Sequence, residues 1–382
     1  MVKTIESFYS PIGISDLVGG GSELSRDDLG FICGVIKKYE PKNIVEIGVS
    51  TGCTSAVILK CIEELGLESE LHSIDLALKC HLNVEKECGY KLKEAFAFLE
   101  KTTNVHLMLG KTIAERIDEV VKHGKIDLLI LDTTHYLPGE LLDFLVCYPY
   151  MSEEAVVIVD DLAFAHIGEN RSAIATPVLF SAIAAKKLLP EKCAKLNMAG
   201  FVLGRETKQY IENLFYALGM PWSYDIGEKT MEEYKEKIYK NYDKDSILIF
   251  DNVLELQQRT LENMKKAPIK LRELLIELDN KKEILIYGAG ARGTALKKFL
   301  EDRGYTIKGF VISDGRDKKV SLQQDLIYNL SEVKDDAEKY NILVALADQT
   351  VRKQLKEAAI DYIDIPNYLF PFIKRYAEYL YT

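Results

Sequence analysis

The sequence predicts an α/β protein with a doubly wound, mostly parallel (mixed) sheet, followed by a second, smaller α/β domain. Short apolar runs alternate with stretches of helical spacing, which is typical of buried strands connected by helices on both faces of a sheet. A glycine-rich turn follows an apolar strand at two places. The first contains Gly48 and Gly52, and the second contains Gly288, Gly290 and Gly293.

The apolar runs set the expected elements of the first sheet. Strands are expected at Ile44–Ile47, Leu71–Asp75, Val105–Leu109, Asp127–Asp132 and Ala155–Asp160, with an antiparallel closing strand at Leu196–Gly204. Helices are expected at Lys91–Lys101, Ile113–His123 and Pro138–Tyr150. Ser25 is expected to cap a helix over Arg26–Tyr39, with Asp27 and Asp28 in its first turn.

The length of 382 residues is sufficient for two domains. We expect a first domain over residues 1–206, a helical connector over 207–280 and a second domain over 281–382. Two interpretations of the connector stay open, since it could cover the cleft of the first domain or act as a simple spacer.

The composition excludes several classes of protein. With 49 basic and 59 acidic residues the net charge is −10, which argues against a broad nucleic-acid surface. No apolar run reaches the roughly 18 residues of a membrane span, and the first residues do not resemble a signal peptide. The 7 cysteines are scattered and form no CxxC pair. We therefore expect a cytoplasmic protein with buried, reduced thiols.

The segment Pro41–Gly52 indicates the class of ligand. An apolar strand leads into the pattern Glu46-x-Gly48-x-Ser50-x-Gly52, and a second strand ends at Asp75. This layout is typical of a nucleotide-binding half, in which the second acid holds a ribose. Glu46 lies inside the strand, where it would repel a pyrophosphate and favour a cationic, phosphate-free ligand. S-adenosylmethionine is such a ligand.

The stretch Glu46–Ser55, EIGVSTGCTS, resembles the first motif of class I S-adenosylmethionine-dependent methyltransferases, especially small O-methyltransferases. The resemblance covers roughly residues 25–205, and Ser50 stands where many relatives have glycine. It implies that Glu46 meets the methionine ammonium, directly or through water, and that Asp75 accepts from the ribose hydroxyls. The alternative for Asp75 is a simple helix cap. The expected cofactor-binding residues are Glu46, Gly48, Ser50, Thr51, Gly52, Ser55, Asp75, Leu76, Gly110, Lys111, Thr112 and Asp132.

Three acids follow neighbouring strands of the predicted sheet, Asp132 after one strand and Asp160 and Asp161 after the next. Ligands of open α/β sheets bind at the carboxyl ends of the strands, so these acids should face one crevice. A hard cation such as Mg²⁺ would relieve their mutual repulsion. In the alternative interpretation, Asp160 or Asp161 caps a loop and contacts the amino group of the cofactor.

This arrangement resembles metal-dependent catechol-type and sugar O-methyltransferases. The resemblance implies that Asp132, Asp160 and Asp161 are metal ligands. The chain departs from it at Asp161, where catechol-type relatives often have asparagine, and at Thr134, which replaces the second acid of the sugar-type Asp-Gly-Asp-His segment.

His135 is the expected general base, with Asp132 as its catalytic neighbour. An unperturbed histidine pKa of about 6.5 suits the removal of a hydroxyl proton at neutral pH. The alternative is a histidine that only hydrogen-bonds a neighbouring loop.

The second glycine loop lies in a similar context. A strand over Ile284–Tyr287 precedes it, a helix over Thr294–Arg303 follows, and the next strand leads to Asp314. This is a Rossmann-like fingerprint. It resembles the sugar-nucleotide-binding domain of bacterial sugar acetyltransferases and appended domains of sugar-modifying methyltransferases, which implies nucleotide binding by Gly288, Gly290, Gly293 and Asp314. The alternative is a degenerate domain used for packing or dimerisation.

Together these observations predict an S-adenosylmethionine-dependent O-methyltransferase, assisted by Mg²⁺, that acts on a hydroxyl of a small molecule such as a sugar or sugar nucleotide. Three alternatives stay open: a metal-free C- or N-methyltransferase, a non-catalytic nucleotide-sugar or dinucleotide-binding protein, and a dehydrogenase that uses the Gly288 loop. The expected partner is the small-molecule acceptor, with no nucleic acid and no membrane, and a homo-oligomer is one option for the assembly.

Overall fold

The computed structural model describes residues 2–20, 22–167, 172–192, 197–278, 282–315, 325–346, 349–370 and 372–373. The chain divides into two compact units, Met1–Gln258 and Arg259–Thr382. None of the helices that the structure describes combines the length and the apolar composition that crossing a membrane requires.

The described residues of the first unit form ten strands. They are β1 Lys3–Ile5, β2 Asn43–Ile47, β3 Glu70–Asp75, β4 Lys79–Cys80, β5 Asn83–Glu87, β6 Val105–Leu109, β7 Ile126–Leu131, β8 Met151–Val159, β9 Lys186–Pro190 and β10 Ala199–Val202. Its helices are α1 Gly13–Leu17, α2 Arg26–Tyr39, α3 Cys53–Glu64, α4 Tyr90–Ala95, α5 Ile113–Val120, α6 Gly139–Cys147, α7 Phe164–Ile167, α8 Ala175–Ala182, α9 Arg205–Gln209, α10 Glu212–Ala217 and α11 Glu228–Asn241. The long helix α12, Lys244–Glu277, begins in this unit.

Eight of these strands form one sheet in the order β1-β9-β10-β8-β7-β2-β3-β6. The strands from β8 to β6 in that order are parallel, whereas β10 is antiparallel to both β8 and β9. The predicted α/β fold class is confirmed. Since the parallel strands all end at the same edge, the loops after β2, β3, β7 and β8 are brought together there.

The local predictions agree with these elements, and the differences lie at their ends. Ser25 caps α2 through a capping box with Asp28, whose backbone N–H lies 3.2 Å from the serine Oγ. The helix predicted over Lys91–Lys101 is shorter, because α4 ends at Ala95 and a 3-10 turn follows. The closing strand is Ala199–Val202, while Leu196 of the predicted range lies outside the described residues.

The core of the first unit packs the apolar faces of α2 and α3 against the central strands. Six cysteines are buried within it as free thiols, as the sequence indicated: Cys33, Cys53, Cys61, Cys80, Cys88 and Cys147. The seventh, Cys193, lies outside the described residues.

In the second unit, the part of the chain that the structure describes forms a five-stranded parallel sheet. Its elements are β11 Glu283–Tyr287, α13 Ala291–Glu301, β12 Ile307–Ile312, β13 Ile327–Asn329, α14 Leu330–Val333, β14 Tyr340–Val344, α15 Gln349–Glu357 and β15 Ile363–Asp364. The order β13-β12-β11-β14-β15 is the strand order of doubly wound nucleotide-binding sheets. A Cβ added to Gly293 would lie 1.8 Å from the carbonyl oxygen of Gly288, so glycine is needed where α13 packs on the turn after β11.

The division between the units does not coincide with the predicted boundary at residue 206. Helices α9, α10 and α11 belong to the first unit, and α12 runs through residue 258. Polar contacts hold α11 on the sheet domain, where Lys237 Nζ is 2.7 Å from Asp118 Oδ2. The division into a catalytic domain, a connector and a nucleotide-binding domain stays a prediction.

Candidate active site

A cavity of about 530 Å³ opens at the carboxyl ends of β2, β3, β7 and β8. Its volume lies within the range of about 300–1,000 Å³ that is usual for small-molecule sites. Most of its lining comes from the loops after these strands, and further residues come from 22–24 and from the segment 224–234 that leads into α11.

Asp75 organises one end of the cavity. Its Oδ2 accepts hydrogen bonds from the backbone N–H groups of Val49 and Ser50, at 2.9 and 3.0 Å, and its Oδ1 accepts one from Ala77 at 2.8 Å. The carboxylate therefore fixes the loop after β2 and also faces the cavity. A carboxylate held in this way is oriented to accept from a vicinal diol.

The predicted cofactor residues divide into two groups in the structure. Those that line the cavity are Gly48, Ser50, Thr51, Asp75, Leu76, Lys111, Thr112 and Asp132. The others, Glu46, Gly52, Ser55 and Gly110, are absent from the lining that the described residues form.

Glu46 lies beneath the cavity rather than on its surface. The side chain is buried, and its Oε2 accepts hydrogen bonds from Ser55 Oγ at 2.5 Å and from Ser73 Oγ at 2.7 Å. Burial raises the pKa of Glu46 to about 7, although the two serines oppose this shift. Both hydrogen bonds end on the same carboxylate oxygen, Oε2.

Gly48 permits a close approach of two loops. Its φ is +97°, and a Cβ at this position would lie 1.6 Å from the carbonyl oxygen of Asp132. The loop after β2 thus touches the backbone after β7. The glycine is needed for this contact within the protein.

Three acids lie next to the imidazole of His135, and a fourth, Asp160, shares a hydrogen-bond donor with one of them. His135 Nε2 is 3.1 Å from Asp161 Oδ2 and 3.8 Å from Asp132 Oδ1. His135 Nδ1 is 3.2 Å from Glu140 Oε1. Asp160 lies at the end of β8, and the Asn197 side-chain amide donates to both Asp160 Oδ1, at 3.3 Å, and Asp161 Oδ1, at 2.9 Å. The structure therefore brings together all four predicted residues of the catalytic and metal group.

The charges of this group perturb one another. Burial raises the pKa of Asp132 to about 7, and it holds the pKa of Asp160 well above its usual range. For His135, burial lowers the pKa, but Glu140, Asp132 and Asp161 outweigh that effect and raise it to about 9. This pKa of His135 is higher than the value near 6.5 on which the sequence argument for a general base depended. Because carboxylates cause the shift, any cation bound beside them would lower it.

Glu140 was missed by the sequence analysis. It is fully buried at the start of α6, and its Oε1 also accepts a hydrogen bond of 2.7 Å from the backbone N–H of His135. Its Oε2 is buried without a hydrogen-bond partner among the described residues. The sequence offered one local signal for Glu140. It is an acid in the first turn of a helix, and that helix follows a strand-end Asp and a His.

Backbone strain is concentrated at this cavity. Five described residues other than glycine have positive φ, and three of them line it: Ser50 at 48°, His135 at 60° and Asp161 at 57°. Such residues persist where the surroundings fix them, and they cluster at functional sites. The geometry of the His135 and Asp161 pair is therefore held by the fold.

Helix α11, which lies in the segment that was expected either to cover the cleft or to act as a spacer, supplies a further wall. Tyr234 donates a hydrogen bond of 2.5 Å to Asp143 Oδ1, and both residues line the cavity. Burial raises the pKa of Asp143 to about 7. Tyr224, Ile226 and Thr230 extend the same wall.

The donor set fits a hard cation in its chemistry, since Asp132, Asp160 and Asp161 offer carboxylate oxygens on neighbouring strand ends. In the structure His135 Nε2 lies next to two of them, 3.8 Å from Asp132 Oδ1 and 3.1 Å from Asp161 Oδ2. A cation bound between the three acids would take over the role of His135 as their neighbour.

Comparison with known families agrees with this geometry. Residues 45–162 match a family model described as a methyltransferase domain. This range includes the end of β2, all of β3, β7 and β8, and every predicted metal ligand. This part of the chain is thus similar to a methyltransferase domain.

Solved structures with partial similarity cover about half of the chain. One is a Staphylococcus aureus protein described as a caffeoyl-CoA O-methyltransferase, with 16% identity over 51% of this chain and 93% of that chain and a TM-score of 0.38. Another is the O-methyltransferase TomG from Streptomyces achromogenes, with 14% identity, 51% and 88% coverage and a TM-score of 0.36. A third is an O-methyltransferase from Bacillus cereus, with 11% identity, 50% and 90% coverage and a TM-score of 0.35. Among curated proteins, none matches this chain.

Proposed function

We propose that this methyltransferase moves the methyl group of S-adenosylmethionine to a hydroxyl oxygen of a neutral, polyhydroxylated small molecule such as a sugar. The charge of the cavity carries the proposal. Its acidic lining residues are Glu23, Asp75, Asp132, Asp143, Asp160 and Asp161. Lys111 also lines it, but its Nζ is 3.1 Å from Glu115 Oε1. Such a surface attracts a sulfonium and an ammonium and repels a pyrophosphate.

Asp75 and the loop that it fixes support a place for the cofactor at one end of the cavity. Asp75 would accept from the ribose hydroxyls, with Leu76 beside it and Lys111 and Thr112 next to the adenine. The acceptor would lie towards His135, Phe164 and Tyr224. Aromatic rings cover the apolar faces of sugars, and carboxylates accept from their hydroxyls.

The transferred methyl group already carries a good leaving group, so the protein has three tasks. It must align the acceptor oxygen with the methyl carbon and sulfur, exclude water and take up one proton. His135 is the group we assign to the proton, because its Nε2 faces the acids of the cavity and a cation bound by these acids would lower its pKa from about 9. Asp132, Asp160 and Asp161 would hold Mg²⁺, which when bound lowers the pKa of a coordinated hydroxyl.

A sugar nucleotide is a less suitable occupant of the whole cavity than a neutral sugar. Its pyrophosphate would meet the same acidic lining that favours the cofactor. If the acceptor is a sugar nucleotide, we therefore place its sugar in the cavity and its phosphates outside.

Calorimetric titration of chelator-treated protein with S-adenosylmethionine, with and without Mg²⁺, tests the cofactor site. Asp75→Ala is expected to weaken binding by about 10- to 100-fold, since hydrogen bonds to charged groups contribute about 1.5–3 kcal/mol. Asp245→Ala removes an exposed acid on α12 and should leave affinity unchanged. Equal affinity in Asp75→Ala and wild type would contradict the assignment.

Product analysis then tests the reaction itself. Formation of S-adenosylhomocysteine with neutral sugars, dependent on Mg²⁺, is the expected result. Turnover that survives chelation would favour the metal-free alternative. Transfer only to amines or carbon would contradict an O-methyltransferase.

We also propose that the second unit binds a nucleotide or a sugar nucleotide at Gly288–Gly293. The parallel strand order and the packing of Gly293 support this. Asp314 follows β12, where its Oδ1 accepts hydrogen bonds from the Ser331 backbone N–H and Oγ, at 3.1 and 2.8 Å.

Gly290→Asp is the test of this second site. A Cβ at Gly290 would have no atom within 4 Å, so the substitution adds a charge without a clash. We expect it to abolish binding of a nucleoside diphosphate sugar, as measured by calorimetry, while Gly290→Ala retains it. Absence of nucleotide binding by the wild-type chain would favour a packing role.

A further inference from the structure

Three of the six histidines form a cluster away from the candidate active site. His72 lies on β3, His106 on the adjacent edge strand β6, and His123 in the 3-10 turn Val121–His123 that follows α5. One nitrogen atom from each ring lies within 4.8 Å of the other two. The ring centroids of His72 and His106 are 4.7 Å apart, and those of His106 and His123 are also 4.7 Å apart.

His72 is the residue that packing does not explain. It is fully buried, and neither of its ring nitrogens has a hydrogen-bond partner among the described residues. Buried polar atoms are nearly always paired, so an orphaned imidazole requires a reason. Burial, and then the charges of His106 and His123, lower the pKa of His72 to about 3. The ring is therefore neutral at physiological pH and has a lone pair to offer.

The other two rings leave the cluster accessible from one side. The side chains of His106 and His123 are 30% and 37% exposed. Glu70, at the start of β3, adds a carboxylate, and its Oε2 is 2.8 Å from His106 Nε2 and 3.9 Å from His123 Nδ1. A buried nitrogen, two accessible nitrogens and one carboxylate thus converge at the amino-terminal ends of β3 and β6.

We propose that His72, His106 and His123 bind Zn²⁺ at a site separate from the methyl-transfer cavity. Imidazole nitrogens are preferred ligands of this ion, at distances of about 2.0–2.1 Å. Small rotations of the two exposed rings would bring the three nitrogens to such distances. Glu70 either orients the His106 ring or completes the coordination, which are both common roles for a carboxylate at a zinc site.

The ion would connect the edge strand β6 to β3 and to the end of α5. It would also take up the orphaned lone pair of His72. Mg²⁺ prefers oxygen ligands and suits the acids of the cavity, so the two ions should not compete for the same site.

The test uses the full chain without a histidine tag, stripped with a chelator and titrated with Co²⁺ as a spectroscopic probe and then with Zn²⁺. We expect one saturable equivalent with the visible absorption of nitrogen-ligated Co²⁺, displaced by Zn²⁺ and unaffected by excess Mg²⁺. His106→Gln and His123→Gln should each weaken Zn²⁺ binding by at least about 100-fold, because loss of an outer-shell partner of a ligand alone costs about 10–100-fold. His166→Gln, an exposed histidine outside the cluster, and Asp161→Asn, in the acidic group, should retain it.

Thermal unfolding provides a second readout, because an ion that binds only the folded state raises the unfolding temperature. Zn²⁺ should raise the unfolding temperature of the wild type and of Asp161→Asn but not that of His106→Gln. After treatment with a chelator, the unfolding temperatures of all three proteins should differ only slightly. The proposal is overturned if no saturable binding occurs, if the Co²⁺ spectrum persists in His106→Gln, or if it is lost in Asp161→Asn alone.

Discussion

Replacement of His135 by glutamine should lower kcat by about 10²–10⁴-fold, which is the usual contribution of a positioned acid or base. Glutamine retains a polar side chain at this position but cannot exchange a proton with a hydroxyl. The cofactor should still bind, because the hydrogen bonds by which Asp75 fixes the loop after β2 do not involve His135. Turnover under saturating substrate and calorimetry with S-adenosylmethionine would measure the two quantities separately.

His166→Gln is the matched control for this change, since it removes an exposed histidine of the same unit that does not line the cavity. Its kcat should equal that of the wild type. Full turnover in His135→Gln would show that His135 is not the proton acceptor. A parallel loss of cofactor affinity would indicate instead that the acids around His135 had rearranged.

Gly48→Ala should reduce the free energy of unfolding of the first unit by about 3–5 kcal/mol, which is the sum expected for a strained positive φ and for overpacking. The new Cβ would lie 1.6 Å from the Asp132 carbonyl oxygen, so the loops after β2 and β7 must separate. Urea unfolding followed by the fluorescence of Trp222, the only tryptophan of the chain and a buried residue of this unit, would measure the loss.

Gly66→Ala separates the effect of the strained backbone from the effect of overpacking. Gly66 also has a positive φ, +66°, but a Cβ there would meet no atom within 4 Å. Gly66→Ala should lower the free energy of unfolding by only about 1–2 kcal/mol, which is the cost of a left-handed backbone conformation for alanine. Similar losses in Gly48→Ala and Gly66→Ala would mean that the loop contact with Asp132 is not tight.

The parts of the site that follow from local pattern were predictable. Asp75 ends an apolar strand, and Gly48, Asp132 and Asp160 each stand directly after one. The parallel arrangement of such strands brings their ends to one edge. The sequence therefore indicated both the fold class and the acids that face the cavity. The structure adds a detail at Glu46 that the sequence did not indicate. Its carboxylate accepts hydrogen bonds from Ser55 and Ser73 beneath the cavity.

The parts that depend on contacts between distant segments were not predictable. Asn197 bridges two acids from the far side of β8, and Tyr234 reaches Asp143 from α11. His72 and His106 are register partners on adjacent strands, but they are far apart in sequence and appear unrelated until the strand order is known. His123 joins them only because the turn after α5 lies beside these strands.

The wall formed by residues 224–234 has a consequence for how such a protein could diversify. The cofactor loops lie within residues 45–162, the range that matches the methyltransferase family, whereas this wall lies outside it. Substitutions at Tyr224, Ile226 or Thr230 would reshape the chamber without altering Asp75 or the acids at the strand ends. Acceptor preference could therefore drift during evolution while the cofactor-binding half stays constant.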